Sequence, residues 1–269
     1  SARALLDAGA RRLGRDEQSP REGPNLPSLP GLANDPTARA DLLQAIGEVY
    51  ANLGLFEQAE ATLVGTLALR NLDTSADSDL RRARTENLLG RVRIDRSNYP
   101  QAEAAIRRGL TLRERRLGRQ SAAVAESLST LGELELSRRN FALAENYLST
   151  ARDLLRRQKK SPAVRQALTD TLSHLTALTI ETERAADAAS HLDEQLRVQG
   201  SADFGDLRTA ENLSLLAALL YRQSDLSGAE TRFRQSLALR EKLLDPRHPD
   251  IVLGHKNLAA IESELGHFE

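Results

Sequence analysis

The chain has 269 residues, of which 40% are hydrophobic, 28% charged and 3% aromatic, and its net charge is -1. Lys and Arg number 37 against 38 Asp and Glu, a balance unlike the concentrated positive charge of a nucleic-acid binder. The absence of Cys excludes disulfides, thiol catalysis and Cys-based zinc sites. Aromatic residues are too scarce for a β-sandwich or barrel, and the abundant Leu, Ala, Glu and Arg are strong helix formers, so the expected class is all-α.

No apolar run approaches the roughly 18 residues that a membrane span needs, so no insertion of this segment into a membrane is expected. No signal peptide is read at the start. Met is absent throughout and the chain begins at Ser1, which reads as a piece of a longer protein. Residues 1–14, "SARALLDAGARRLG", have the pattern of an amphipathic helix. The polar, Pro-rich stretch at 17–36 follows as a flexible loop, so 1–36 forms a segment ahead of what comes next.

From residue 37 the chain repeats itself. "LFEQAEATL" stands at 55–63, "NYPQAEAAI" at 98–106, "NFALAENYL" at 140–148 and "DLSGAETRF" at 225–233. Their fifth-place alanines, Ala59, Ala102, Ala144 and Ala229, are separated by 43, 42 and 85 residues. The double step calls for a hidden copy near 186, and "TERAADAAS" (182–190) supplies Ala186 and Asp187. That copy reads as decayed, with Glu183 in place of the aromatic and Ser190 in the ninth place. "HFE" at 267–269 matches the start of a sixth copy.

Twelve residues ahead of each alanine lies a second small residue: Gly47, Gly90, Gly132 and Ala217, with Ala259 in the sixth copy. In the fourth copy His174 falls at that place and Ser173 replaces its apolar neighbour. Two helical stretches, each with a small residue where they meet, describe a tightly packed helix–turn–helix hairpin. Such hairpins bury their remaining apolar faces only by stacking on one another. Helices are predicted at 37–53, 56–71, 78–96, 99–116, 121–138, 141–158, 162–181, 184–198, 206–223, 226–244 and from 249. The units run 37–77, 78–119, 120–161, 162–204 (degenerate), 205–247 and 248–269 (truncated). Phe56, Tyr99, Phe141 and Phe268 share one repeat place, which marks a packing role.

An apolar-small pair in the first helix, an aromatic after the turn, then Ala and a large apolar residue in the second helix resemble the tetratricopeptide repeat. The 42–43-residue period is similar to the long variety found in kinesin light chains, as is "LREKLLDPRHPDIVLGHKNLAAIESELGHFE" (239–269) with its His-Pro-Asp. The chain departs from that family in mostly lacking the Asn ahead of the small residue: only Asn257 takes the place, with Asn87 one residue off. The resemblance implies a right-handed α-solenoid whose first helices line a concave groove. The family's groove positions fall on Asp41, Gln44, Glu48 and Asn52, on Arg84, Asn87, Arg91 and Asp95, and on Glu126, Ser129, Thr130 and Glu133. In the fourth unit they fall on Leu168, Leu172, Leu175 and Leu178, an apolar patch at the end of a polar channel. Such a channel suits an extended peptide with basic and apolar side chains, and equally suits a solvated face.

Residues 2–16 and 37–70 are also similar to the region after the membrane span in bacterial serine/threonine kinases with C-terminal repeats. That resemblance implies an extracytoplasmic sensor arm, a cytoplasmic place being the alternative. No kinase motif occurs in the chain itself. His174, His191, His248, His255 and His267 form no metal-ligand pattern, and neither a phosphate-binding glycine loop nor a serine-nucleophile motif is present. The expectation is therefore a non-catalytic scaffold without cofactor or metal that binds a protein or peptide and no nucleic acid. Self-association through exposed terminal helices is the alternative.

Overall fold

The computed structural model describes residues 7, 10, 35–73, 75, 77–199 and 207–266. Among them are eleven α-helices and no strand. They are α1 (Pro36–Asn52), α2 (Phe56–Arg70), α3 (Ser78–Asp95), α4 (Tyr99–Leu117), α5 (Ala122–Ser137), α6 (Phe141–Arg156), α7 (Pro162–Glu181), α8 (Ala185–Gln199), α9 (Leu207–Arg222), α10 (Leu226–Leu243) and α11 (Pro249–Leu265). Every boundary lies within two residues of the sequence-based expectation. Most of the helix expected at 1–14, most of the Pro-rich loop, and the "HFE" at 267–269 lie outside the described residues.

The helix starts follow from capping chemistry. The Asp35 carboxylate accepts from the backbone N–H groups of Thr37 and Ala38, and Pro36 needs no such partner. Ser161 ahead of Pro162 and Asp225 ahead of Leu226 repeat the device. The chain divides into two compact units, residues 1–140 and 141–269. In the first, α1 packs on α2 and α3 on α4, and the first helices of neighbouring hairpins also touch, α1 with α3 and α3 with α5. In the second, each helix from α6 to α11 packs on the next.

Within the first, second and fifth hairpins, the small residue of the first helix meets the ninth-place apolar residue of the second. A Cβ built on Gly47 would lie 2.9 Å from Cδ2 of Leu63, and Leu63 is fully buried. Ala59, Ala102, Ala144 and Ala229 are fully buried too. A side chain larger than methyl at any of these alanines would force the packed helices apart.

The turn between the helices is the most regular feature of all. A left-handed residue occurs at Gly54, Ser97, Arg139, Glu183, Ser224 and Gly266, in steps of 43, 42, 44, 41 and 42. The residue after it donates its N–H back across the helix end, as in Leu55 to Tyr50, Asn98 to Arg93 and Arg184 to Thr179, at 2.8–2.9 Å. This is a Schellman closure, for which glycine is the natural occupant. Ser97 is exposed and sits at φ 58°. Ser97→Gly is expected to stabilise the first unit by about 0.5–1 kcal/mol in a urea titration, and Gly54→Ala to destabilise it by a similar amount.

These turns correct the reading of the fourth copy. Each left-handed residue precedes its repeat alanine by five, so Glu183 assigns Ala188, not Ala186. Ala188 is fully buried with Leu192 and Leu196 against Leu213 and Leu216 of α9, whereas Ala186 is exposed. The ninth place is then Leu192, 2% exposed, and the small-residue place is Thr176, preceded by buried Leu175. The fourth repeat has kept its buried alanine and its large apolar residue, while Ala185 stands where Phe56, Tyr99 and Phe141 stand in other copies. Leu168, Leu172, Leu175 and Leu178 are consequently core residues, at most 8% exposed, and no apolar binding patch exists there. Moved by the same two residues, the expected groove positions of α7 fall on Asp170, His174, Ala177 and Ile180, none of which is buried. The threonines among the buried leucines satisfy their hydroxyls within the helix: Thr171, Thr176 and Thr179 donate to the carbonyls of Ala167, Leu172 and Leu175 at 2.7–2.9 Å.

Candidate functional site

The first helices of three consecutive repeats, α1, α3 and α5, turn one face each towards a cleft in the first unit. It has a volume of about 370 Å³. Glu48 and Asn52 of α1 line it, with Arg84, Asn87, Arg91 and Asp95 of α3 and Glu126 of α5. All seven had been expected from repeat position. Gln44, Thr130 and Glu133 connect to this lining through polar contacts, Asp41 pairs with Arg70 outside it, and Leu172 and Leu175 belong to the core of the other unit.

Depth varies along each stripe. Gln44, Asn87, Ser129 and Thr130 are 9% exposed or less and serve helix contacts. Gln44 donates to Glu48 at 3.0 Å and accepts from Thr85 at 2.8 Å. The Thr130 hydroxyl donates to the Glu126 carbonyl and accepts from the Asn87 amide nitrogen, both at 3.1 Å. That arrangement fixes the Asn87 amide, whose buried oxygen has no hydrogen-bond partner.

The charges at the rim are loosely held. Arg84 lies 3.5 Å from Glu48, and Arg91 lies 3.9 Å from Glu133. Both arginine side chains are more than half exposed. Burial raises the Asp95 carboxyl above the usual range, the Glu133 charge raises it further, and Arg91 opposes both. Exposed pairs of this kind contribute little stability, about 0–1 kcal/mol, so exchanging them for a ligand's charges costs little.

Four cleft residues escaped the sequence reading: the apolar Ala51, Leu88 and Val92 of the first helices, and a charged residue that belongs to a second helix. Arg113 of α4 is 5% exposed and donates to the Ala123 carbonyl at 2.6 Å and to the Ser127 hydroxyl at 2.9 Å. It also lies 3.2 Å from Glu126. Burial lowers its pKa from the ordinary arginine value, and the Glu126 charge works in the opposite direction. Arg70 of α2 holds the same repeat place and reaches Asp41 at 2.8 Å and both Gln44 and Thr85 at 3.0 Å. A signal existed, since Arg70, Arg113 and Arg240 each stand eleven residues beyond a repeat alanine.

Among the described residues no group of three or more acidic or His side chains is placed to hold a metal ion, and no helix is long and apolar enough to cross a membrane. Stacked helix–turn–helix hairpins with a polar cleft along their first helices define an α-helical repeat protein. Residues 81–157 and 209–250 both match the tetratricopeptide repeat family.

Solved structures agree on the fold. BtubC (BKLC) from P. vanneervenii is 17% identical, with a TM-score of 0.61 over 79% of this chain and 85% of that one. A Rap protein complexed with competence and sporulation factor is 15% identical, with a TM-score of 0.57 over 87% and 67% of the two chains. The nearly identical repeats of a putative kinesin light chain from Podosopora anserina are 12% identical, with a TM-score of 0.56 over 80% and 100%. No curated protein matches the chain.

Proposed function

We propose that the chain is a non-catalytic scaffold that holds an extended, mixed-charge peptide of a partner protein in the cleft of α1, α3 and α5. The observation that carries the reading is the convergence of one helix face from three successive repeats, with its rim charges held only at 3.5 and 3.9 Å. An extended chain crossing three helices meets equivalent positions at regular intervals, which suits side-chain recognition along a strand-like peptide. The Rap protein named above is complexed with competence and sporulation factor, and supports capture of a partner on this fold by analogy. The apolar component of the peptide expected from sequence is dropped, because Leu172 and Leu175 are buried. A setting within a larger bacterial signalling protein, such as a serine/threonine kinase with C-terminal repeats, is supported by the similarity at 2–16 and 37–70.

Peptide display against the 269-residue protein, followed by anisotropy titration of the selected peptide, tests the cleft. Arg84→Glu with Arg91→Glu is expected to weaken binding about tenfold or more, and added salt to weaken wild-type binding. Both side chains are exposed, so the helical circular dichroism signal is expected to persist. Selected peptides that bind the double variant as tightly as the wild type would remove the cleft from consideration.

A further inference from the structure

The charge of this chain is unevenly distributed. Residues 78–119 hold twelve Arg and five acidic residues, a net +7 within a chain of net charge -1. Ten of those arginines are paired. Arg81, Arg84, Arg91, Arg93, Arg96 and Arg113 reach acids outside the segment, which ties the second repeat to its neighbours. Arg107, Arg108, Arg116 and Arg119 are paired within it. Among the described residues Arg82 and Arg115 have no ion pair or hydrogen bond.

These two arginines lie on the α3–α4 hairpin, away from the peptide cleft. A shallow pocket of about 350 Å³ runs between the helices, with Ala104 and Leu112 as an apolar floor and Arg82, Arg107 and Arg108 around it. Arg115 follows Arg108 by seven residues on α4, two turns along the same face. Gly109 allows this hairpin to close tightly, since a Cβ there would meet the Ala83 carbonyl at 2.9 Å. Glu86, 7% exposed, grips Arg108 through two hydrogen bonds of 2.8 and 2.9 Å. That grip fixes the guanidinium while more than half of the side chain stays exposed. The interaction with Glu86 raises the Arg108 pKa, so the charge is retained at any physiological pH.

We propose that this surface docks an acidic segment of a partner protein, with carboxylates on Arg82, Arg108 and Arg115 and one apolar side chain seated on Ala104 and Leu112. Charge complementarity supplies the argument: of the arginines in 78–119 the two without a partner, Arg82 and Arg115, both lie on this hairpin beside the exposed Arg108, and the floor between them is apolar. Carboxylates fit better than a nucleic-acid backbone. Glu86, Glu103 and Glu114 interrupt the cations and would repel a continuous row of phosphates, whereas discrete carboxylates can settle between them. The site is separate from the peptide cleft, which draws on Arg84, Asn87 and Arg91 of the other face of α3. Either site can fail without the other.

The test uses three fluorescein-labelled probes with the full 269-residue chain: a peptide with Glu at most positions and Leu at every fourth, the same peptide with Gln for Glu, and a 20-base-pair DNA duplex. The Glu peptide is expected to bind and to lose about tenfold in affinity with Arg82→Glu plus Arg115→Glu. It should bind the Arg84→Glu/Arg91→Glu variant as it binds wild type. Arg82 and Arg115 have no internal partners to lose, and an unchanged circular dichroism spectrum confirms that the fold persists. The proposal is overturned if the Glu peptide binds no better than the Gln peptide, if Arg82→Glu/Arg115→Glu leaves its affinity unchanged, or if the duplex binds as tightly.

Discussion

Ala188→Leu is expected to destabilise the second unit by about 1–3 kcal/mol, while Ala186→Leu two residues earlier changes stability by no more than about 0.5 kcal/mol. Ala188 is fully buried and surrounded by Leu192, Leu196, Leu213 and Leu216, so three further heavy atoms have no space to enter. Ala186 is exposed, and leucine is nearly as good a helix former as alanine there. A urea titration of the two variants, read by circular dichroism, compares them directly. Equal losses at the two positions would undo the assignment of Glu183 to the repeat turn. The pair is informative because the sequence alone favours Ala186, which is followed by an acid as in the other copies.

That misassignment shows where legibility stops. "ERAADAASHL" (183–192) offers four alanines within five residues, and matching letters selects the pair Ala-Asp. Packing selects Ala188, because the helix begins at Ala185, its first three residues are not buried, and Ala188 is the first that is fully buried. The decisive marker was the backbone: a left-handed residue five places ahead. Glycine would have announced that conformation in letters, but Ser97, Arg139, Glu183 and Ser224 conceal it. The error of two residues then moved the expected groove positions of α7 from Asp170, His174, Ala177 and Ile180 onto the core residues Leu168, Leu172, Leu175 and Leu178.

Where glycine and aromatic markers survived, the sequence placed seven cleft residues in the first unit. Periodicity gives a side chain's direction and not its depth, and for that reason Gln44, Asn87 and Thr130 proved to be buried links between helices. Arg113 was hidden by another cause. An arginine at the end of a second helix reads as a solvated complement to the helix dipole, and its burial arises from the repeat stacked beside it.

The close approach within the hairpin makes a second pair of substitutions act in opposite directions. Gly90→Ala is expected to destabilise the first unit by about 1–3 kcal/mol, and Gly65→Ala to stabilise it by about 0.5–1 kcal/mol. Both glycines sit inside helices, so alanine improves helix propensity at each. Space decides the sign. A Cβ at Gly65 meets nothing within 4 Å, whereas at Gly90 it would overlap Cγ1 of Ile106 and lie 3.4 Å from the Ala102 carbonyl. Ile106 is fully buried, and its β-branch leaves it few rotamers with which to yield. The equivalent place in the fifth repeat holds Ala217, which is tolerated in a cluster with Phe233, a residue unbranched at Cβ. Gly47, facing the γ-branched Leu63 at 2.9 Å, should accept alanine at a smaller cost than Gly90. Ile106→Leu should accordingly recover part of the Gly90→Ala loss. Chemical denaturation of the two single variants and the double variant measures that coupling. If Gly90→Ala raises the transition midpoint as Gly65→Ala does, the first and second helices of this repeat do not meet at the distance that the array requires.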